Sequence, residues 1–413
     1  MKKPELLLPA GSLAVLKTAF RYGADAVYIG GEAYSLRAMA ANFSPEEMKK
    51  GIDYAHGIGK KIYVTANILA HNKDLEDSER YFKELEEMKP DALIISDPGV
   101  FMMAKKFCPD IPVHISTQAN NTNYGTFLFW RAQGAKRVVT GRELSLSEIR
   151  EIRDRVPGDM EIETFVHGAM CISYSGRCLL SNFLAGRDAN RGACTHPCRW
   201  TYSVMEETRP GQYMPVYENE RGSYIFNSKD LCMVDHIPEL AGAGVDSFKI
   251  EGRMKTELYV AVTARTYRKA IDDFFSDPGC YRDHLSWYRE EIEKCTYRDF
   301  TTGFFFSKPG PDAQIYDSNI YLKKYTYIGT AREGTLSGTV CFEQKNKFSA
   351  GQTLEIMKPD GSNVESEVRD ILDDEGEHME SAPHPRQSLT VRMEPLPEAG
   401  DIIRMITESG ESR

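Results

Sequence analysis

The sequence contains no apolar run of membrane-spanning length. Its opening residues, 1–9, pass directly into a strand-like pattern with no signal-peptide core or cleavage site. The expectation is a soluble, cytoplasmic protein with no membrane partner. Several catalytic motifs are missing too. No Gly-x-Gly-x-x-Gly follows the first strand candidate, which removes the dinucleotide-binding fingerprint. Nor is there a His-Glu-x-x-His helix, a Gly-x-Ser-x-Gly elbow or an Asp-Thr/Ser-Gly loop of the kind that peptidases carry. Positive charge is in deficit: 51 Lys and Arg against 61 Asp and Glu leave a net charge of −10. That balance excludes a general nucleic-acid coat while leaving room for a local basic groove.

What is present is enough for a large core. The 413 residues are 41% apolar and 27% charged, which excludes wholesale disorder and suggests two domains or one barrel with an appendage. Short apolar runs of strand length fall at residues 5–8, 26–29, 61–66, 92–96, 113–116, 137–140, 162–166 and 247–250. Amphipathic helical patterns lie between most of them, at 12–22, 45–56, 75–88, 99–107, 124–132 and 147–155. A degenerate phrase recurs where helix gives way to strand, as in Gly134-Ala-Lys-Arg-Val-Val-Thr-Gly141 and Gly244-Val-Asp-Ser-Phe-Lys-Ile-Glu251. The glycine ends a helix and the apolar residues continue as a strand buried on both faces. Eight such units predict an α/β protein, a (β/α)₈ TIM-like barrel over residues 1–274 with a cysteine-rich insertion at 168–232. An irregular, aromatic-rich bridge is expected at 275–326. A small C-terminal all-β barrel domain follows at 327–413, where short strands alternate with turns such as Pro359-Asp-Gly361.

In a barrel of this kind the chemistry sits where strands end. Polar residues gather at those positions: Asn67 after the third strand, Asp97 after the fourth, Gln118 after the fifth, and Arg142 with Glu143 after the sixth. His167 follows the seventh, and Lys249, Glu251 and Arg253 belong to the eighth. Any one of them can be a helix cap or a rim salt bridge; their shared placement carries the functional reading. His167, Arg142, Glu251 and Asp97 are the catalytic candidates. Asn67, Gln118, Lys229, Lys249, Arg253 and Lys255 are the candidates for holding substrate.

The nine cysteines of a cytoplasmic chain are not expected to form a disulfide framework. Four fall together, Cys171-x6-Cys178-x15-Cys194-x3-Cys198, directly after the seventh strand. Four thiolates are the ligand set of an iron–sulfur cluster or of a structural zinc, and the irregular spacing on glycine-rich loops suits a cluster at least as well. Cys232, in Leu231-Cys-Met-Val234, reads as the apolar face of a helix and is assigned to the core.

Around these cysteines the sequence resembles a known family. Glu163-Thr-Phe-Val-His-Gly-Ala-Met-Cys-Ile-Ser-Tyr-Ser-Gly-Arg-Cys-Leu-Leu-Ser181 is similar to the signature of peptidase family U32, the collagenase-like peptidases. So are Asn190-Arg-Gly-Ala-Cys-Thr-His-Pro-Cys-Arg-Trp200, Asn227-Ser-Lys-Asp-Leu231 and Lys249-Ile-Glu-Gly-Arg-Met-Lys255. The likeness runs from Pro9-Ala-Gly11 to the β-rich tail. The family's historical label implies proteolysis. Its better understood members resemble oxygen-independent hydroxylases instead, and the length and cysteine pattern place this chain nearest the branch that acts on the wobble uridine of tRNA.

That branch implies a cluster, of the 4Fe–4S type, on Cys171, Cys178, Cys194 and Cys198, with zinc as the alternative metal. It also implies prephenate as an oxygen-donating cosubstrate. Prephenate carries two carboxylates, for which Arg142, Lys249, Arg253 and Lys229 are the candidate cations. tRNA, through its anticodon loop, is the implied partner, and a second family member is a further candidate. Arg187, Arg191 and Arg199 beside the cysteine loop, and Lys255, Arg265, Arg268 and Lys269 on the last barrel helix, supply positive charge. The alternatives are a peptidase acting on peptides, and an RNA-binding or assembly protein with a structural cluster.

Overall fold

The structure, a computed structural model, describes residues 1–32, 34–35, 42–171, 173, 178–187, 189, 192–199, 203–205, 213–215, 227–309, 314–315, 322–333 and 338–407. The chain forms two compact units. The first comprises Met1–Leu13, Asp25–Met254 and Arg298–Ile320, and the second comprises Ala14–Ala24, Lys255–Tyr297 and Tyr321–Arg413.

The first unit contains a closed parallel barrel. Its strands are β1 (Glu5–Pro9), β2 (Ala26–Gly30), β3 (Lys61–Ala66), β4 (Ala92–Ile95), β5 (Val113–Ile115), β6 (Arg137–Val139), β7 (Glu161–Ala169) and β8 (Ser247–Ile250). Each pairs with the next in parallel, and β8 pairs with both β7 and β1, which closes the ring. The alternation of the strands sorts the residues. Leu7, Ala26, Tyr28, Tyr63, Ala92 and Ile94 cluster on one face. Leu6, Leu8, Val27, Ile29, Ile62, Val64, Leu93 and Ile95 alternate with them and are fully buried. Both faces are therefore covered, which is why the strands read as continuous apolar runs.

The helices start where the sequence provides caps. Ser44 and Ser145 make capping boxes with Glu47 and Glu148 at Pro45–Gly57 and Leu146–Arg155. The recurrent glycines act as expected: Gly134 (φ +87°) and Gly244 (φ +77°) adopt the left-handed backbone that lets a helix turn into the next strand.

Two expectations are corrected. Cys232 lies on a short strand, Asp230–Cys232, rather than on a helix, because its backbone pairs antiparallel with β7 and places Cys232 opposite His167. The strand Phe300–Thr301 then pairs with it in parallel. The bridge expected to be irregular at 275–326 contains two helices, Pro278–Asp283 and Leu285–Ile292. Asp277 caps the first through Gly279, with Pro278 at its first position, and Tyr281 stacks on Tyr288 at 5.6 Å between ring centres. The aromatics that hid a helical period are buried contacts between helices.

In the second unit the C-terminal part is all-β and antiparallel. One sheet runs through Tyr325–Thr330, Ile402–Ile406, Thr353–Met357, Asn363–Leu372, Ser388–Glu394, Val340–Glu343 and Arg332–Glu333. Its core includes Ile328, Phe342, Phe348, Leu354, Val368 and Val391. The helices Leu13–Arg21, but for its first residue, and Glu257–Ser276 belong to this unit. No helix among the described residues is long and apolar enough to cross a membrane.

Candidate active site at the C-terminal rim of the barrel

The barrel interior below the rim is filled by charge. Arg137 donates to Glu5 at 2.6 Å, to Glu161 at 2.8 Å and to Glu163 at 2.9 Å. Lys249 donates to Glu163 at 2.7 Å, and Tyr63 to Glu5 at 2.7 Å. Burial works against the Glu5 carboxylate, but Arg137 outweighs it and holds the group below the usual carboxylate range. Lys249 therefore does not meet the substrate role expected of it. Its ammonium is buried against Glu163 and over the Tyr28 ring at 4.6 Å.

Three more candidates are already engaged. Asp97 Oδ1 accepts from the backbone N–H of Gly99 and of Val100, at 2.8 and 3.0 Å, so it caps the helix Pro98–Phe107. Arg253 is buried over Gly30, where it donates to Ser35 Oγ at 2.6 Å and Thr65 Oγ1 at 3.2 Å. Lys255 lies in the second unit, its ammonium 5.0 Å from the Tyr259 ring centre. On the basic helix, Arg265 is buried on Glu291 and so is not available to RNA, while Arg268 and Lys269 pair with Asp272 and Asp273 one turn on. Arg191 lies outside the described residues.

The remaining candidates meet at the strand exits. Arg142, after β6, stacks on Phe165 of β7 at 4.1 Å and reaches Glu251, after β8, through one contact of 3.3 Å. The guanidinium Nε is shielded from solvent without a hydrogen-bond partner. Glu251 is fixed in turn, since its backbone N–H donates to the His167 carbonyl at 2.9 Å. The His167 ring is buried in β7, 5.7 Å from Phe300. Lys229 is half-buried, with no ion-pair partner among the described residues. Asn67 joins three neighbouring exits: its carbonyl accepts from Ser96 at 2.8 Å and its amide donates to Ser116 at 3.3 Å. Gln118 sits on the single turn Thr117–Ala119, where its backbone N–H donates to Ser116 Oγ at 3.3 Å.

Glu143 was given no role in the sequence reading. Desolvation pushes its carboxyl above the ordinary carboxylate value, and its Oε2 is shielded and unpartnered. Asn121 was also missed. Fully buried, it donates to the carbonyls of Ser116 and Val139 and so ties the β5 exit to β6. The only sequence signal for either was its position just after a strand.

The cysteine excursion leaves from β7 and returns at Asp230–Cys232, and the pairs Gly168–Leu231 and Ala169–Asp230 tie its two ends together. Cys171 and Cys194 are exposed; Cys178 and Cys198 are half-buried. The Cys171 thiol is pushed up by desolvation, with the Ser173 backbone and Arg142 acting against it and the charges of Cys178 and Cys194 adding to it. Cys171 thus lies within electrostatic reach of Cys178 and Cys194. Among the described residues no three of them lie within 4.8 Å of each other. Gly176 and the residues around it at 174–177 lie outside the described set.

Comparison with known proteins fits this layout. Peptidase family U32 matches residues 11–315, and the family's C-terminal domain matches residues 323–404. The chain belongs to peptidase family U32. Among relatives of this U32 chain, tRNA hydroxylation protein P1 of Bacillus subtilis is 40% identical, covering 95% of the chain and 92% of the relative. tRNA hydroxylation protein P of Escherichia coli is 42% identical over 93% and 92%. A Methanocaldococcus jannaschii relative described as an uncharacterized protease is 44% identical over 73% of each.

Proposed function

We propose that this U32 protein hydroxylates the wobble uridine of tRNA at the barrel rim, using an iron–sulfur cluster held by Cys171, Cys178, Cys194 and Cys198. The reading rests above all on a four-thiol excursion tied at both ends to β7 and opening beside Arg142. The names of two of the relatives above support RNA hydroxylation. The irregular spacing of the four thiols along a glycine-rich excursion favours a multi-iron centre over a structural zinc, whose ligands usually come in two short pairs. Bound there, such a cluster supplies electrons or Lewis acidity to an oxygen-transfer step, with prephenate as the proposed donor.

The chain's own contribution is positioning. Arg142, braced by Phe165 and held by one long contact to Glu251, keeps donors for a carboxylate at the mouth. A base in an anticodon loop is already unstacked, so it enters the barrel mouth at modest cost.

Among the described residues the peptidase reading finds a foothold in a Cys–His–Asp trio in the second unit. Its geometry is wrong for a relay. Cys280 Sγ at 3.5 Å and Asp273 Oδ2 at 2.8 Å both meet Nδ1 of His284, so one ring nitrogen faces nucleophile and carboxylate alike. Desolvation and the charge of Asp273 push the Cys280 thiol up, away from the reactive thiolate.

The test is nucleoside mass analysis of tRNA from a strain lacking the protein. Hydroxyuridine derivatives should vanish, return with the wild-type chain, and stay absent with Cys171→Ala or Cys194→Ala. Protein purified without air should be brown, with about four irons per chain. Unchanged tRNA together with a colourless protein that cleaves gelatin would overturn the proposal in favour of proteolysis.

A further inference from the structure

The exits of β3, β4 and β5 are stitched into one rigid patch. Ser96 donates to the Asn67 carbonyl, Asn67 donates to Ser116 Oγ, and the Ser116 backbone N–H donates to Ile95 at 2.7 Å. Within this patch Asn67 Oδ1 and Gln118 Oε1 are both shielded from solvent and unpartnered, as is Oδ1 of Asn121, whose amide is tied to Ser116 and Val139. A buried acceptor left unsatisfied is costly, so two from neighbouring exits call for a ligand that donates hydrogen bonds. The patch also limits what that ligand is. The groups that hold the two carboxamides in place are the hydroxyls of Ser96 and Ser116, and no carboxylate contacts either side chain among the described residues. Such neutral surroundings suit a neutral N–H donor.

We infer that Asn67 and Gln118 form the subsite that receives the N–H edge of the target base, its imide in the case of uridine. A side-chain carboxamide complements an imide, since its oxygen accepts the ring N–H while its NH₂ donates to the adjacent carbonyl. Gln118 has the freer amide, because the Asn67 NH₂ is already held by Ser116. Gln118 therefore reads the base, and Asn67 supplies the second acceptor. This assignment rests on the RNA reading above and specifies which edge of the base the barrel recognises.

The experiment uses protein purified without air and a fluorescent anticodon stem-loop carrying either uridine or N3-methyluridine at the target position. Wild type should bind the methylated RNA about tenfold more weakly, the loss expected for one hydrogen bond with its acceptor left buried. Gln118→Met, which keeps the shape and removes the amide, should bind both RNAs alike. Its melting temperature should be unchanged or higher, since an orphan acceptor has gone; a structural role for Gln118 would lower it. Discrimination kept in Gln118→Met, or absent in wild type that binds the stem-loop, would overturn the subsite alone. Wild type that binds neither RNA would overturn the RNA reading, and the subsite with it.

Discussion

The two ends of the barrel treat polar groups in opposite ways. In the lower interior Glu5, Arg137, Glu161, Glu163 and Lys249 satisfy one another within a few ångströms. At the exits of β3, β5 and β6, Asn67 Oδ1, Gln118 Oε1, Glu143 Oε2 and Arg142 Nε are shielded and unpartnered. Both sets are buried, so burial does not distinguish structure from function here. Pairing does. A closed network holds the strands in register, whereas unsatisfied groups at the rim store a demand that a ligand can meet. His114 is an exception below the rim: its Nδ1 is unpartnered, and the ring packs edge-on against Tyr63 at 4.7 Å.

The contrast can be broken most directly at Arg137. Arg137→Leu leaves the carboxylates of Glu5, Glu161 and Glu163 without their shared partner, and urea denaturation should show a loss of about 3–5 kcal/mol. A loss below about 1 kcal/mol would mean that the network is not what holds the barrel.

His114 sharpens the same contrast through pH. Desolvation, with Arg137 and Lys249 nearby, holds its folded pKa well below 6.5. The folded chain thus resists a proton that the unfolded chain accepts. Stability from this term is complete above pH 6.5 and falls as pH drops below it. Denaturation midpoints should decline between pH 7 and 5 in wild type, and decline less in His114→Leu. Glu5 adds a further loss at lower pH, beginning at the ordinary carboxylate value and continuing as pH falls through its own lowered one.

The smallest effect is expected at Asp97. Asp97→Ala removes a cap and should lower stability by about 1 kcal/mol while tRNA hydroxylation persists. Abolished modification in a folded Asp97→Ala variant would return this residue to the catalytic group.

Much of the architecture was legible because its causes are local. The strand at 61–66 is buried on both faces after its exposed Lys61 and carries the apolar run Ile62-Tyr-Val64, and the helix at 45–57 carries its own Ser-Pro-Glu-Glu start. The helices at 278–292 were missed because their aromatics are placed by neighbouring helices rather than by a visible period. Cys232 was put on a helix because an apolar tetrapeptide does not reveal that its backbone pairs with β7. Among the rim residues, the sequence showed which stand at strand ends but not which are occupied.

By itself the sequence determined the alternation of strands and helices, the capped helix starts and the spacing of four thiols after β7, since each depends on residues close together in the chain. Only the tertiary structure decided the fate of the polar groups. Lys249 is neutralised by Glu163, 86 residues away, and Arg253 donates to the hydroxyls of Ser35 and Thr65, while Gln118 and Asn67 are left with unanswered oxygens. Whether a buried group has a partner depends on what the barrel's closure brings beside it, and no local pattern encodes that.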